Sequence, residues 1–346
     1  MTNKELLLLH SAWMTETDSP VVISSRVRLA RNLEDFPFPH ILAPEGAGQI
    51  EQIVSHALTD IEGNIGLRYI SLKELNSVEH QVLIEKHLIS PSLGGATGAC
   101  GVALAPDHRY AVMVNEEDHV RIQVLMPGNQ LMETHRLATG LDDALEAKLD
   151  FAYRESHGYL TACPTNVGTG LRASVMVHLP GLVIMNQVQQ VLGALTRLGL
   201  AVRGLYGEGS QAFGHMFQVS NQITLGKSEE DILTHLDAVT GQIVEHELQA
   251  RELLQVQRPM LLEDKVWRAR GTLQNARLLS SEDAMHLLSH DRLGSDIGLL
   301  PKLKDCFASL IVDTRPGCLQ YILDRELDPS QRDEERARLV RARTAL

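Results

Sequence analysis

Aromatic residues make up only 4% of the 346 positions, too few for the stacking platform on which single-stranded nucleic acid is held. Positive charge is also short, since 32 Lys and Arg face 44 Asp and Glu for a formal charge of −12. Such a balance argues against a nucleic-acid partner. The four cysteines, at 100, 163, 306 and 318, include no CxxC pair. Their spacing excludes a secreted disulfide scaffold and a zinc ribbon, and a reduced cytoplasm is the expected compartment. Leu6 to Leu9 is too short an apolar run for a signal peptide or a membrane span. Internal repeats and low-complexity tracts are missing as well.

What remains is an ordinary globular composition, 44% hydrophobic and 22% charged, in a chain long enough for a catalytic-sized unit and a smaller one. A short helix is expected around Leu6 to Met14. Val21 to Arg31 alternates as a strand, which sets Arg26 and Arg28 on one face. Helices are expected over Ala47 to Ile61, Ser77 to His87, Asp142 to Asp150 and Gln187 to Leu198. Ala99–Leu104 and Tyr110–Val114 read as a hairpin around Pro106-Asp107-His108, and Met216–Ser220 with Gln222–Leu225 as another. Ser228-Glu229-Glu230-Asp231 is a capping signature, followed by an apolar stripe at Ile232, Leu236, Val239 and Ile243. From there the pattern is helical to the end, and Asp328-Pro329 caps a charged last helix.

Chemistry concentrates at strand ends and glycine loops. Cys163-Pro-Thr-Asn-Val-Gly-Thr-Gly-Leu-Arg172 frees backbone amides at two glycines and ends in a guanidinium, a combination suited to phosphate oxygens. Asn115-Glu-Glu-Asp-His-Val-Arg121 presents carboxylates beside a guanidinium, and Arg203-Gly-Leu-Tyr-Gly-Glu208 repeats that pairing. Taken singly, each has a plain reading: a tight turn, a solvated acidic turn, a strand face with spaced arginines. Together they supply Arg26, Arg28, Arg121, Arg172 and Arg203, and arginine favours bidentate contact with phosphate. Glu117 and Glu208 add two carboxylates able to hold a cationic acceptor and take a proton.

These segments, with Ser24-Ser25-Arg26-Val27-Arg28, match in order and spacing the motifs of the phosphagen (guanidino) kinases, which the chain resembles. The resemblance implies an α+β catalytic domain, an antiparallel sheet flanked by helices, followed by a small all-helical C-terminal domain. The expected division is 1–250 and 251–346. It also implies ATP with magnesium carried on its phosphates, without a protein metal site. Arg26, Arg28, Arg121, Arg172 and Arg203 would hold those phosphates, with His87 on the nucleotide side. Glu117 and Glu208 would bind the acceptor guanidinium, one taking its proton and the other orienting it, in an order that sequence leaves open. Cys163 would sit beside the acceptor.

Two departures bear on the acceptor. Only 23 residues precede Ser24, whereas kinases of free guanidino amino acids carry a whole helical domain there, so an open site admitting protein arginine is expected. A helical region also follows residue 250. Both features resemble the bacterial protein-arginine kinase branch, the McsB type, and Arg332-Asp333-Glu334-Glu335-Arg336-Ala337 resembles its phosphoarginine-sensing RDxxRA motif. Arg332 and Arg336 lie one helical turn apart, spaced to grip one phosphate, and Asp333 is set to pair with a guanidinium. The resemblance implies a homodimer acting in the stress response on exposed arginines of a heat-shock repressor and of unfolded proteins. A Clp-type AAA+ unfoldase and a zinc-binding activator would be its partners. Tyr206 and Met176 stand where the family often has arginine and histidine. A kinase of free arginine and a non-catalytic phosphoarginine adaptor are the alternatives.

Overall fold

The alternating stretch that starts at Val21 becomes the central strand of a sheet, because its two faces suit two different environments. In the computed structural model, which describes residues 2–61, 65–204 and 213–345, the strands are β1 (Val22–Arg31), β2 (Arg68–Ser71), β3 (Gly101–Leu104), β4 (Tyr110–Val114), β5 (Val120–Pro127), β6 (Tyr153–Arg154), β7 (Gly158–Tyr159), β8 (Leu171–His178), β9 (Leu200–Gly204) and β10 (Met216–Asn221). β6 and β7 form a small ribbon. The other eight make one sheet in the order β2-β3-β4-β5-β1-β8-β10-β9, antiparallel at every junction.

One face is apolar and covered. Val27 and Leu29 of β1, Ile122 and Val124 of β5, Val175 of β8 and Val219 of β10 share a core with helices Pro44–Thr59, Leu131–Glu146, Val188–Arg197 and Glu229–Gln257. Burial of these branched side chains is the main driving force for the layer. Part of the opposite face carries a second core, in which Met113, Leu125 and Met176 meet Leu6, Leu7 and Trp13 near the N-terminus. Leu288, Leu310, Leu319 and Val340 belong to the same core. They come from helices Ser281–Asp296, Phe307–Asp313, Pro316–Leu323 and Pro329–Thr344. The terminal helices therefore pack on the sheet itself. Helix Glu229–Gln257 runs unbroken across residue 250 and turns at Pro259 into helix Pro259–Asn275.

Three sequence expectations are corrected. The N-terminal helix spans only Asn3–Leu8, followed by a separate 3-10 turn at Ala12–Met14. The break falls where the Lys86 ammonium takes the carbonyls of Leu7 and Leu9, both at 2.6 Å. The helix expected from Asp142 begins at Leu131 and ends at Glu146. Asp142, expected at the start of the helix, lies near its end, where its carboxylate pairs with buried Arg31 at 2.5 Å. No second strand forms over Gln222–Leu225. Thr224 instead donates its hydroxyl to the carbonyls of Val167 and Thr165, at 2.7 and 2.9 Å. Among the described residues no helix is long and apolar enough to cross a membrane.

Candidate active site

Residues that face each other across an antiparallel pair project from the same side of the sheet. Arg28 faces Arg172 on β8 and Gln123 on β5, and Arg121 faces Ala30, two residues further along β1. Gln218 of β10 faces both Met176 and Arg203, while Met176 faces Ser24. Arg26, Arg28, Arg121, Arg172 and Arg203 thus leave five positions on four strands from one face, the one not covered by the first helix layer.

Two adjoining cavities lie over this face. The larger, about 260 Å³, is lined by Arg26, Arg28, His87, Ser90, Gln123 and Gln218 among others. The second, about 140 Å³, is lined by Glu117, Asn166, Gly170 and Arg172. Arg28, Arg121 and Arg203 line both, so the two form one cleft with guanidinium groups at its waist.

The electrostatics call for an anion. Burial, followed by the neighbouring charges of Arg121 and Arg172, lowers the Arg26 guanidinium to about 10. Arg28 is pushed well below its ordinary value by burial and then by Arg26, Arg121 and Arg172. Arg172 is lowered by burial and by Arg203 and Arg121. Cations held this close raise the free energy of Arg26, Arg28 and Arg172, and a polyphosphate relieves them together. The Arg28 Nε is buried without a hydrogen-bond partner among the described residues. That donor is available to a ligand. Arg26, by contrast, is already oriented by Gln218, whose Oε1 accepts from its Nη2 at 2.6 Å.

The turn Asn115–His119 gives each side chain a different task. Asn115, at φ 55°, donates to the carbonyls of Ala47 and Ala99 and fixes the turn. Glu116, with only 6% of its side chain exposed, pairs with Arg121 at 2.6 Å and accepts from Ser90 at 2.7 Å. Glu117 is 44% exposed, takes the other Arg121 nitrogen at 2.7 Å and faces the smaller cavity. Asp118 is fully buried, accepts from Asn32 and from the Ala162 amide at 2.7 Å, and its carboxyl is raised by burial. It ties the acidic turn to the start of the glycine loop.

That loop needs both of its glycines. Gly168 has φ 111° and Gly170 φ 66°. A Cβ on Gly170 would meet Arg31 Nη1 at 2.5 Å and the Ala30 carbonyl at 2.7 Å. Arg31 itself stacks on Tyr159, 3.4 Å from the ring centroid, and donates to the Thr169 carbonyl at 3.1 Å. The loop leads into β8 with Arg172 facing Arg28. Cys163, at its start, hydrogen-bonds the Thr165 hydroxyl at 3.0 Å and is a free thiol.

His87 lines the end of the larger cavity beside Arg26. Its φ of 60° turns the chain at the end of helix Ser77–Glu85, and its ring sits 5.5 Å from that of Trp13. Burial, then the charges of Arg26 and Arg315, lower its imidazole to about 3. It is neutral at physiological pH and adds no further repulsion. Met176 lies at the same end, beside Arg26 and His87.

The structure therefore brings together Arg26, Arg28, His87, Glu117, Arg121, Arg172 and Arg203, while Glu208 and Tyr206 lie outside the described residues. Arg332, Asp333 and Arg336 sit on helix Pro329–Thr344 and line neither cavity. Arg336 is 1% exposed and donates to Thr314, Leu279 and Asp333 at 2.6, 2.7 and 2.6 Å. Arg332 donates to the Leu327 carbonyl at 2.8 Å. Sequence reasoning missed Glu116, Asp118, Asn166 and Gln218. For Glu116 the only available signal was its place one residue before Glu117. Among the described residues no group of three or more His, Cys, Asp or Glu is positioned to hold a metal.

Known proteins resemble this chain in sequence and in fold. Residues 49–250 match the ATP:guanido phosphotransferase C-terminal catalytic domain, and residues 259–346 match the protein-arginine kinase McsB C-terminal domain. A protein-arginine kinase of Moorella thermoacetica is 49% identical over 96% of this chain and 97% of its own length. That of Desulforamulus reducens is 48% identical over 96% and 95%. Among solved structures, the duplicated taurocyamine kinase from Schistosoma mansoni, with bound transition state analog components, aligns with a TM-score of 0.62 and 26% identity over 72% of this chain. The chain spans 36% of that duplicated enzyme. A lombricine kinase aligns with a TM-score of 0.60 and 24% identity over 72% of this chain and 70% of its own, a likeness of fold.

Proposed function

The chain belongs to the ATP:guanido phosphotransferase family, in its protein-arginine kinase branch, and we propose that it transfers the γ-phosphoryl group of ATP to arginine side chains of proteins. The observation that carries this reading is the shared waist of the cleft, where Arg28, Arg121 and Arg203 border both the larger cavity and the one faced by Glu117. A phosphoryl group crossing that waist is flanked by cations throughout. Phosphoryl transfer asks mainly for positioning and charge neutralisation, and the five arginines supply both.

In this reading Arg26, Arg28, Arg121, Arg172 and Arg203 hold the triphosphate, and neutral His87 packs on the nucleoside side. Magnesium carried on the phosphate oxygens would add to the charge neutralisation that these arginines supply. A guanidinium is a poor nucleophile while fully protonated. Glu117 accepts its proton as the N–P bond forms and the bond from phosphorus to the β-phosphate oxygen breaks, releasing ADP. Arg121 fixes the carboxylate for that task through its 2.7 Å pair with Glu117. Glu208 is proposed as the second carboxylate on the acceptor, and Cys163 as its neighbour.

We further propose a division at residue 250, a cytoplasmic homodimer, action in the stress response on a heat-shock repressor and unfolded proteins, and coupling to a Clp-type unfoldase and a zinc-binding activator. Phosphoarginine sensing by Arg332, Asp333 and Arg336 requires an incoming phosphate to replace the contacts that Arg336 now makes within the chain. The competing reading, a kinase of free arginine, is separated by a coupled ADP-release assay. An unfolded arginine-containing protein is expected to drive turnover that millimolar free arginine does not. Equal or faster turnover with the free amino acid would reverse the assignment of acceptor.

A further inference from the structure

Three consecutive residues at the nucleotide end of the cleft reach three different parts of the molecule. Glu85 is fully buried and accepts from the Gly317 amide at 3.0 Å, the Cys318 amide at 2.7 Å and the Gln81 side chain at 3.0 Å. It thereby caps the N-terminus of helix Pro316–Leu323, where backbone N–H groups have no partner within the helix. Lys86 takes the carbonyls of Leu7 and Leu9, and its own carbonyl accepts from Trp13 at 3.1 Å. His87, next in the chain, lines the larger cavity at φ 60°, and its carbonyl accepts from Gln123 at 2.8 Å.

The contact made by Glu85 is close as well as charged. A Cβ on Gly317 would stand 2.6 Å from Gln81 Cγ and 3.0 Å from Glu85 Oε2, so glycine is what lets helix Pro316–Leu323 approach helix Ser77–Glu85 to this distance. Three residues before Gly317, the Thr314 carbonyl accepts from buried Arg336 at 2.6 Å. A buried carboxylate thus links the terminal helices to the His87 turn, beside the charge of Arg315 that reaches His87 itself.

We propose that Glu85 is a positioning residue for nucleotide binding, locking the His87 end of the cleft to helix Pro316–Leu323 so that nucleotide affinity depends on the seating of the terminal helices. The inference rests on the reading of the larger cavity as the nucleotide site. Glu85 itself touches no substrate. It sets where the backbone turns at His87, two residues on, and the left-handed turn leaves that histidine little freedom of its own.

The test compares full-length wild type with Glu85→Gln and Gly317→Ala, two changes on opposite sides of the same contact. Glutamine turns an NH2 toward one of the two amides and forfeits that bond, and the alanine methyl forces the helices apart. ADP with magnesium is titrated calorimetrically into each protein, and the unfolding midpoint is recorded without nucleotide. Both variants are expected to weaken ADP binding by about five- to tenfold, to raise KM for ATP in step, and to leave KM for the protein acceptor unchanged. The double variant is expected to lose little more than either single one, because both break one contact. A lower unfolding midpoint with unaltered ADP affinity in either folded variant would overturn the proposal, leaving Glu85 a structural cap. Failure of the wild type to bind ADP would instead sink the assignment of the nucleotide cavity.

Discussion

Replacing Glu117 by alanine is expected to lower the rate of phosphoryl transfer by at least about a hundredfold, the usual contribution of a positioned general base, while ADP binds as before. The separation of effects follows from geometry. Glu117 faces the smaller cavity, and its side chain is 44% exposed. Its removal leaves Arg121 paired with Glu116 at 2.6 Å, so the waist of the cleft keeps its shape and most of its charge. Glu117→Gln sharpens the test, because it keeps the volume and one acceptor but cannot take a proton at neutral pH. Both variants should lose turnover with an unchanged unfolding midpoint. Turnover within a few-fold of wild type in Glu117→Gln would remove this residue as the base and move the role elsewhere in the cleft.

The second large effect is on stability. Glu247 is fully buried in helix Glu229–Gln257 and accepts from the Gly181 and Leu182 amides at 2.8 and 2.9 Å and from Arg251 at 2.7 Å. Arg251, itself buried, also reaches Asp296 at 3.2 Å and the Pro20 carbonyl. One carboxylate therefore joins the long helix, the start of helix Pro180–Ile184 and, through Arg251, helix Ser281–Asp296. Burial raises the Glu247 carboxyl, against the lowering influence of Arg251, so the charged form is held by its partners alone. Glu247→Ala orphans two helix-starting amides and leaves the guanidinium with a weakened shell. Breaking such a pair costs about 3–5 kcal/mol, read as a lower urea midpoint. A loss below about 1 kcal/mol, the range of an exposed pair, would show that water reaches this contact and that the long helix is held by apolar packing.

The arginine face was legible in the sequence because it obeys a period of two. Arg26 and Arg28 sit two apart in a β-branched run, and strand polarity does the rest. Glycine punctuation likewise marked the loop before Arg172, and the φ values of Gly168 and Gly170 give the reason. What stayed hidden was the division of labour within the acidic turn. Glu116, Glu117 and Asp118 look alike in one dimension. They differ in burial because Ser90, which holds Glu116, and the Ala162 amide, which holds Asp118, come from distant parts of the chain.

The same limit explains the misplaced helix. Asp142 was expected at the helix start, and its partner Arg31 lies 111 residues away on β1, where no local pattern reveals it. Packing of the terminal helices on the sheet was also out of reach. Their apolar positions show that they bury one side, while the choice of Met113, Leu125 and Met176 as the surface beneath depends on tertiary assembly. The partners of Arg336 were hidden in the same way. Its spacing from Arg332 suits one phosphate, and in the folded chain it donates to the Thr314 and Leu279 carbonyls and to Asp333.

The most direct measurement is a phosphosite analysis that avoids acid throughout, performed on an unfolded arginine-containing protein after incubation with this enzyme, ATP and magnesium. Five guanidinium groups around one triphosphate, opening onto the cavity faced by Glu117, predict phosphate on arginine nitrogen, absent when ATP is omitted. ATP consumed with phosphate found only on hydroxyl side chains, or released to water with arginine unmodified, would contradict the account.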